Sequence, residues 1–81
     1  MQRFKVGDNV MPSGGSVAVY ADAAPDAMVL DSYGPSAVLE VLDPDMNNGD
    51  YPVVVDGQSW IRVRAADGLV GWVKENQVKA Q

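Results

Sequence analysis

Short apolar runs separated by turn residues follow one another along the whole chain. Seven runs are recognisable, with Gly, Pro, Asn or Asp between them; they cover residues 4–10, 16–20, 27–33, 37–42, 51–55, 60–65 and 69–73. Most of them alternate apolar with polar or small side chains, which is the period of a β-strand. A helical period is nearly absent, since the best candidate, residues 21–28, contains Pro25 and allows at most one turn. The pattern therefore predicts an all-β domain, a small barrel or sandwich of five to seven short strands.

The last two runs predict a hairpin in which one tryptophan is exposed. An Asp-Gly pair ending at Gly68 divides the two runs, and glycine adopts the positive φ that tight hairpin turns require. On the first strand Trp60 shares a face with Arg62 and Arg64, because successive side chains of a strand point to opposite faces. Two arginines indicate a solvated face, so we expect Trp60 on the solvent side.

The position of the second tryptophan, Trp72, depends on the register of this hairpin. If residue 66 pairs with residue 69 across a two-residue turn, Trp72 lies opposite Val63 and packs inward. A bulge of one residue would turn it outward, since a one-residue slip reverses every side chain. We adopt the inward interpretation, in which Trp72 belongs to the core.

Composition limits the chemistry of which the chain is capable. The 81 residues make one domain, residues 1–81, without Cys or His. Disulfides, the usual zinc ligand sets and His-based catalytic triads are therefore excluded. The net charge of −5 disfavours nucleic acid and anionic membranes, and no apolar run approaches the roughly 18 residues of a membrane-inserted helix. We expect a protein that is not an enzyme, has no cofactor and prefers basic peptides or neutral glycans as partners.

The hairpin also resembles a known family. The stretch GQSWIRVRAADGLVGWVKENQV is similar to the C-terminal half of bacterial SH3-like (SH3b) domains, whose pattern is a Trp, a Val three residues on, an Asp-Gly turn and a Gly-Trp-Val run. In this chain the matching residues are Trp60, Val63, Asp67, Gly68, Gly71, Trp72, Val73 and Val78. Upstream, residues 16–30 and 33–42 resemble the family's earlier strands and the turn between them, and in all the resemblance covers residues 17–78.

This resemblance implies an SH3-like small barrel and a non-catalytic binding module. Relatives of this kind bind peptidoglycan, peptides or partner proteins, so the expected partner is a protein, a peptide or a cell-wall glycopeptide. An alternative function comes from FKVGDNV and YPVVV, which resemble strands of the small SH3-like subunit of photosystem I. They imply a docking subunit of a larger complex, such as an electron-transfer complex. We expect a cytoplasmic protein if the chain is full length, and a cell-envelope protein if it belongs to an exported one.

Three aromatic residues at strand ends form the candidate ligand site. Tyr20, Tyr33 and Trp60 lie next to loops, where exposed aromatic side chains would line a shallow groove. The alternative, that all three belong to the core, is equally open. Acidic residues close to them in sequence would form a rim that favours a cationic group and makes binding salt-sensitive; they are Asp22, Asp26 and Asp31.

The polar insert after the fourth run resembles a calcium loop in part. Asp43, Asp45 and Asn47 have the spacing of oxygen ligands. An EF-hand also requires Gly at the sixth position and Glu at the twelfth, where Asn48 and Val54 stand. We therefore expect a polar loop and no metal.

Overall fold

The described part of the chain is all-β. The computed structural model describes residues 4–44, 51 and 53–81. Its eight strands form one sheet, with a 3₁₀ turn at Glu75–Gln77 and no α-helix among the described residues. This confirms the predicted all-β class, although the strands outnumber the expected five to seven. The strands are β1 (Asn9–Pro12), β2 (Val17–Tyr20), β3 (Val29–Tyr33), β4 (Leu39–Leu42), β5 (Val53–Val55), β6 (Gln58–Ala65), β7 (Val70–Lys74) and β8 (Val78–Ala80).

The predicted pattern differs from the structure at both ends of the chain. The first apolar run forms a strand only after a turn at Gly7, whose φ is 93°. Phe4, before that turn, is buried without belonging to a strand, and β1 begins at Asn9. At the other end, Val78 closes the 3₁₀ turn and begins β8, a strand that lies outside the seven predicted runs and pairs with β1.

The order of the strands leaves β3 at an edge. Neighbouring strands follow the order β3-β2-β7-β6-β4-β1-β8, and β5 pairs with β6 outside this path. Every pairing is antiparallel, and β3 pairs with β2 alone. The β2–β3 register runs from Val17 opposite Tyr33 to Tyr20 opposite Val29, with a bulge after Val19. Tyr20 and Tyr33 therefore lie at opposite ends of this hairpin.

The main core lies on one face of the central strands. It is built from the alternating apolar positions that the sequence pattern marks, with Tyr33, Tyr51 and Leu69 packed at its margin. Burial of such side chains contributes about 1.5–3 kcal/mol each to folding. The core residues are Phe4, Val10, Val17, Val19, Leu39, Val41, Ile61, Val63, Ala65, Val73 and Val78.

The opposite face of β6 and β7 holds a second, smaller core. Trp60 is 0% exposed and Trp72 is 1% exposed, and both pack with Ala23 and Val53. Tyr20, Tyr51 and Val55 cover this cluster. The prediction that Trp60 is exposed is therefore wrong. Arg62 and Arg64 do lie on a partly solvated part of this face. The part that carries the tryptophans is covered by side chains of β5 and of the segment after β2.

A three-residue turn puts both tryptophans on that second face. The N–H of Ala65 donates to the carbonyl of Leu69 (2.8 Å), and the N–H of Gly68 donates to the carbonyl of Ala65 (2.9 Å). Gly68 has a φ of 94°, as three-residue hairpin loops require. Trp72 consequently pairs with Arg62, one position away from the expected partner. The prediction that Trp72 is buried is confirmed, but it is buried on the face opposite to the one expected.

Gly71 allows β2 and β7 to approach each other closely. A Cβ at this position would lie 2.4 Å from Cγ1 of Val19 and 2.7 Å from the carbonyl oxygen of Tyr20. Both separations are shorter than any van der Waals contact, and a strand carbonyl cannot move aside as a flexible side chain can. The Gly71 in the Gly-Trp-Val run is thus a packing requirement of the sheet.

Candidate functional site: the β3 edge

The candidate site is the exposed apolar strand at the sheet edge, which we name the β3 edge and define as residues 28–32. Met28 is 72% exposed, Val29 51% and Leu30 41%. These are three of the five large apolar side chains that are exposed in the described part of the chain, and they are consecutive. Such apolar strand edges attract further strands, and natural proteins usually protect them. The β3 edge is therefore a candidate contact surface.

The two faces of the β3 edge differ. Val29 lies opposite Tyr20 in the β2–β3 ladder, on the side of the tryptophan cluster. Cδ1 of Leu30 lies 3.4 Å from the point that a Cβ on Gly71 would occupy, on the side of the main core. Met28, just before β3, anchors the hairpin through its carbonyl, which accepts the N–H of Ala21 (2.8 Å).

Acidic side chains lie within the β3 edge and in the segment that precedes it. Asp22, Asp26 and Asp31 are all exposed. The carboxylate of Asp31 accepts the N–H of Ser32 (2.8 Å), and that of Asp22 accepts the N–H of Ala23 (2.8 Å). The three carboxylates that the sequence marks as a rim therefore belong to the β2–β3 hairpin and the segment joining its strands.

Two of the three aromatic site residues are in contact. The rings of Tyr20 and Trp60 meet edge to face, with their centroids 5.2 Å apart. Nζ of Lys74 lies 5.8 Å from the centroid of the Tyr20 ring, at cation–π distance. Trp60 is fully buried, so a ligand could not contact it. Within this group only Tyr20 and Lys74, which are half-buried, are accessible to a ligand.

Tyr33 does not join them. Its hydroxyl donates to the carboxylate of Asp67 (3.1 Å to either oxygen), whose Oδ1 also accepts the N–H of Leu69 (3.1 Å). Desolvation, followed by the hydrogen bond to Asp67 and repulsion from that carboxylate and from Asp31, raises the pKa of Tyr33 above its ordinary value. Tyr33 thus ties the end of β3 to the β6–β7 turn. The groove of three aromatics is not assembled, and a binding role for any one of them stays a prediction.

Tyr51 lies between the two cores and is packed against both of them. Its hydroxyl donates to the carbonyl of Leu42 (2.6 Å) and accepts the N–H of Arg62 (2.8 Å). Burial raises the pKa of Tyr51, while the hydrogen bond from Arg62 acts in the opposite direction. This side chain joins the segment before β5 to both β4 and β6.

The apolar residues of the β3 edge were not among the site residues predicted from the sequence. The signal was present, since Met28, Val29 and Leu30 are three consecutive apolar residues followed by Asp31 and Ser32. Consecutive apolar residues in a strand lie on both of its faces, which is typical of a strand covered on both sides. The topology leaves β3 with one neighbour, so part of this apolar surface faces solvent.

The described residues contain no cluster of acidic side chains that could hold a metal ion, and no helix long and apolar enough to cross a membrane. Most of the partial calcium loop, including Asp45 and Asn47, lies outside the described residues. The described surface contains no pocket.

Comparison of the chain with protein-family models, with curated proteins and with solved structures finds no match. The fold and site thus define the chain as a small all-β domain with an apolar strand edge and acidic flanks.

Proposed function

We propose that this chain is a non-catalytic binding module, similar in role to bacterial SH3-like domains, and that the β3 edge is its contact surface. One observation supports the proposal above all others. Met28, Val29 and Leu30 are exposed together at a sheet edge, in a chain whose other large side chains mostly enter two cores. Clustered apolar exposure with a polar margin is the usual mark of an interaction surface.

The class of ligand is inferred from the resemblance to SH3-like domains and from the chemistry of the β3 edge. SH3-like domains of this kind bind cell-wall glycopeptides, peptides or proteins, all of which offer extended backbones and cationic or neutral groups. An exposed edge that contains Asp31 and follows Asp26 in the sequence suits such ligands, because it offers apolar contact together with negative charge. Attraction between exposed charges weakens as salt screens them.

The test is retention of the purified chain on isolated peptidoglycan sacculi. The double substitution Met28→Ser with Val29→Ser removes apolar surface from the edge but leaves Leu30, which contacts the sheet. The matched control is Val54→Ser, since Val54 is 56% exposed and lies on β5. We expect the double variant to lose retention and the control to keep it.

Two results would count against this function. If both variants are retained alike, the β3 edge is not the contact surface. If the unsubstituted chain is not retained at all, the cell wall is not the target. The alternative of a docking subunit then gains weight, and in extracts of the source cells the chain should elute with a large assembly that the double substitution disrupts.

A further inference from the structure

The hydrogen bonding of β3 leaves its outer edge open. β3 pairs with β2 alone, and the N–H of Ser32 is satisfied by the carboxylate of its neighbour Asp31 rather than by a strand. An exposed side-chain acceptor can be displaced by a backbone carbonyl at little cost, because water solvates the released carboxylate. Val29 and Leu30, earlier on the same strand, add exposed apolar surface. The edge thus combines an accessible backbone donor with side-chain contacts.

We propose that the β3 edge binds an extended, cationic segment of a partner as an additional antiparallel or parallel strand. This inference deepens the proposed function and rests on the β3 edge being the contact surface. In strand addition the main chain supplies the affinity and alternate side chains supply the specificity. Val29 and Leu30, which lie toward different faces of the sheet, offer apolar contacts to both sides of such a strand.

The distribution of charge along the chain indicates that the partner segment bound at the β3 edge is cationic. All Asp and Glu residues except Asp67 and Glu75 fall within residues 6–61, and that range contains no Lys or Arg. β3 lies in the middle of it. Among the basic residues outside the range, Arg64 pairs with Glu40 and Lys74 lies over the Tyr20 ring. A Lys or Arg of the partner would therefore meet Asp31 with a net negative hairpin around it.

The same charge disfavours a second copy of this chain as the occupant. Asp31 is the central residue of the five-residue strand Val29–Tyr33. Antiparallel pairing of two β3 strands about their centre would place one Asp31 opposite the other. Like charges directly opposite each other destabilise a sheet. A partner with a basic residue at that position instead takes the Asp31 carboxylate, which frees the Ser32 amide to donate to the partner's backbone.

The test uses a defined probe, the blocked octapeptide of four Lys-Val repeats, titrated into the ¹⁵N-labelled chain. We expect the largest amide shift changes at residues 28–33 and contacts between the peptide and the β3 backbone in nuclear Overhauser spectra. A Glu-Val octapeptide and a Lys-Val octapeptide N-methylated at every residue are the controls. Neither should bind, because the first has the wrong charge and the second lacks backbone donors.

Variants of the chain separate backbone pairing from surface adhesion. Ser32→Pro removes the edge N–H while a strand still accommodates its φ, and Ser32→Ala keeps the N–H. We expect Ser32→Pro to weaken binding about three- to tenfold, the loss of one hydrogen bond, and Ser32→Ala to bind normally. Asp31→Asn should weaken binding and reduce its dependence on salt. If Ser32→Pro does not fold, the N-methylated peptide still tests backbone pairing, because it lacks the N–H groups that would donate to the carbonyls of β3 and its methyl groups block close approach to the edge.

Several outcomes would overturn strand addition. These are shift changes centred away from β3, equal binding by the N-methylated peptide, and no binding at millimolar concentration. Failure of this inference is distinguishable from failure of the proposed function. If sacculus retention needs the edge but the N-methylated peptide binds as well as the parent, the binding module stands and strand addition falls. If the peptide adds to β3 but sacculi do not retain the chain, strand addition stands and the cell-wall target falls.

Discussion

Replacement of Trp60 by alanine tests whether the second core stabilises the fold. Trp60 is 0% exposed and packs edge to face against Tyr20, 5.2 Å between centroids. Removal of a buried tryptophan costs about 3–5 kcal/mol. A domain of this size has a total stability of about 4–12 kcal/mol. Trp60→Ala should therefore lower the free energy of unfolding by a large fraction and the melting temperature by more than about 12 °C.

The replacement of Trp60 by phenylalanine is the matched control. Nε1 of Trp60 is buried and has no hydrogen-bond acceptor among the described residues. Phe keeps an aromatic ring against Tyr20 and removes this unsatisfied donor, whose burial costs about 1–3 kcal/mol. We expect Trp60→Phe to cost clearly less than Trp60→Ala. Urea unfolding followed by far-UV circular dichroism measures both.

One result would refute this reasoning about the second core. If Trp60→Ala lowers the free energy of unfolding by less than about 1 kcal/mol, the residue is not packed as a core tryptophan. The second cluster would then contribute little to the stability of the fold, and Trp60 would again be a candidate for ligand contact. The corresponding change Trp72→Ala should also cost about 3–5 kcal/mol, since Trp72 is 1% exposed in the same cluster.

Two further substitutions probe the contacts that hold the sheet. Gly71→Ala should destabilise by about 1–3 kcal/mol or more in thermal melts, because the new Cβ would lie 2.7 Å from the carbonyl oxygen of Tyr20; Gly14→Ala, where nothing lies within 4 Å, is the control and should be near neutral. Tyr51→Phe should cost about 1–3 kcal/mol, since it leaves two backbone partners unsatisfied. Burial raises the pKa of Tyr51, so its contribution is complete below its unfolded pKa of about 10 and is lost as pH rises through the higher folded value. Urea midpoints from pH 8 to 11 should thus fall more steeply for the parent chain than for Tyr51→Phe, and equal slopes would contradict this account.

Alternation along the chain predicts most of the strands, because it depends only on which side chains avoid water. β2, β3, β4, β5, β6 and β7 each lie in or overlap a predicted run. The face that a residue occupies also depends on the turn, which alternation does not determine. The Ala65–Leu69 hydrogen bond shows a three-residue turn where a two-residue turn was expected. That single residue moves Trp72 to the face of Trp60.

The candidate site was harder to predict, because it depends on which strands become neighbours. Arg62 indicated a solvated face. At the end of that face where the tryptophans lie, however, side chains of β5 pack against them. Local periodicity does not predict this cover, since the segment around Ala23 reaches it from a distant part of the chain and β5 reaches it through a hairpin with β6. Likewise, Val29 and Leu30 read as an ordinary buried strand until the topology leaves β3 with one partner.

The second core and the β3 edge are physically connected. Tyr20 packs on Trp60 with one side of its ring and lies opposite Val29 in the ladder, so the buried tryptophan supports the strand that carries the hairpin. Gly71 lets β2 approach β7 closely on the other side of the same strand. These contacts hold the edge on the packed sheet although β3 itself has no buried residue. An edge that is already ordered by such contacts loses less conformational entropy when it pairs with a partner strand, which favours binding through the backbone.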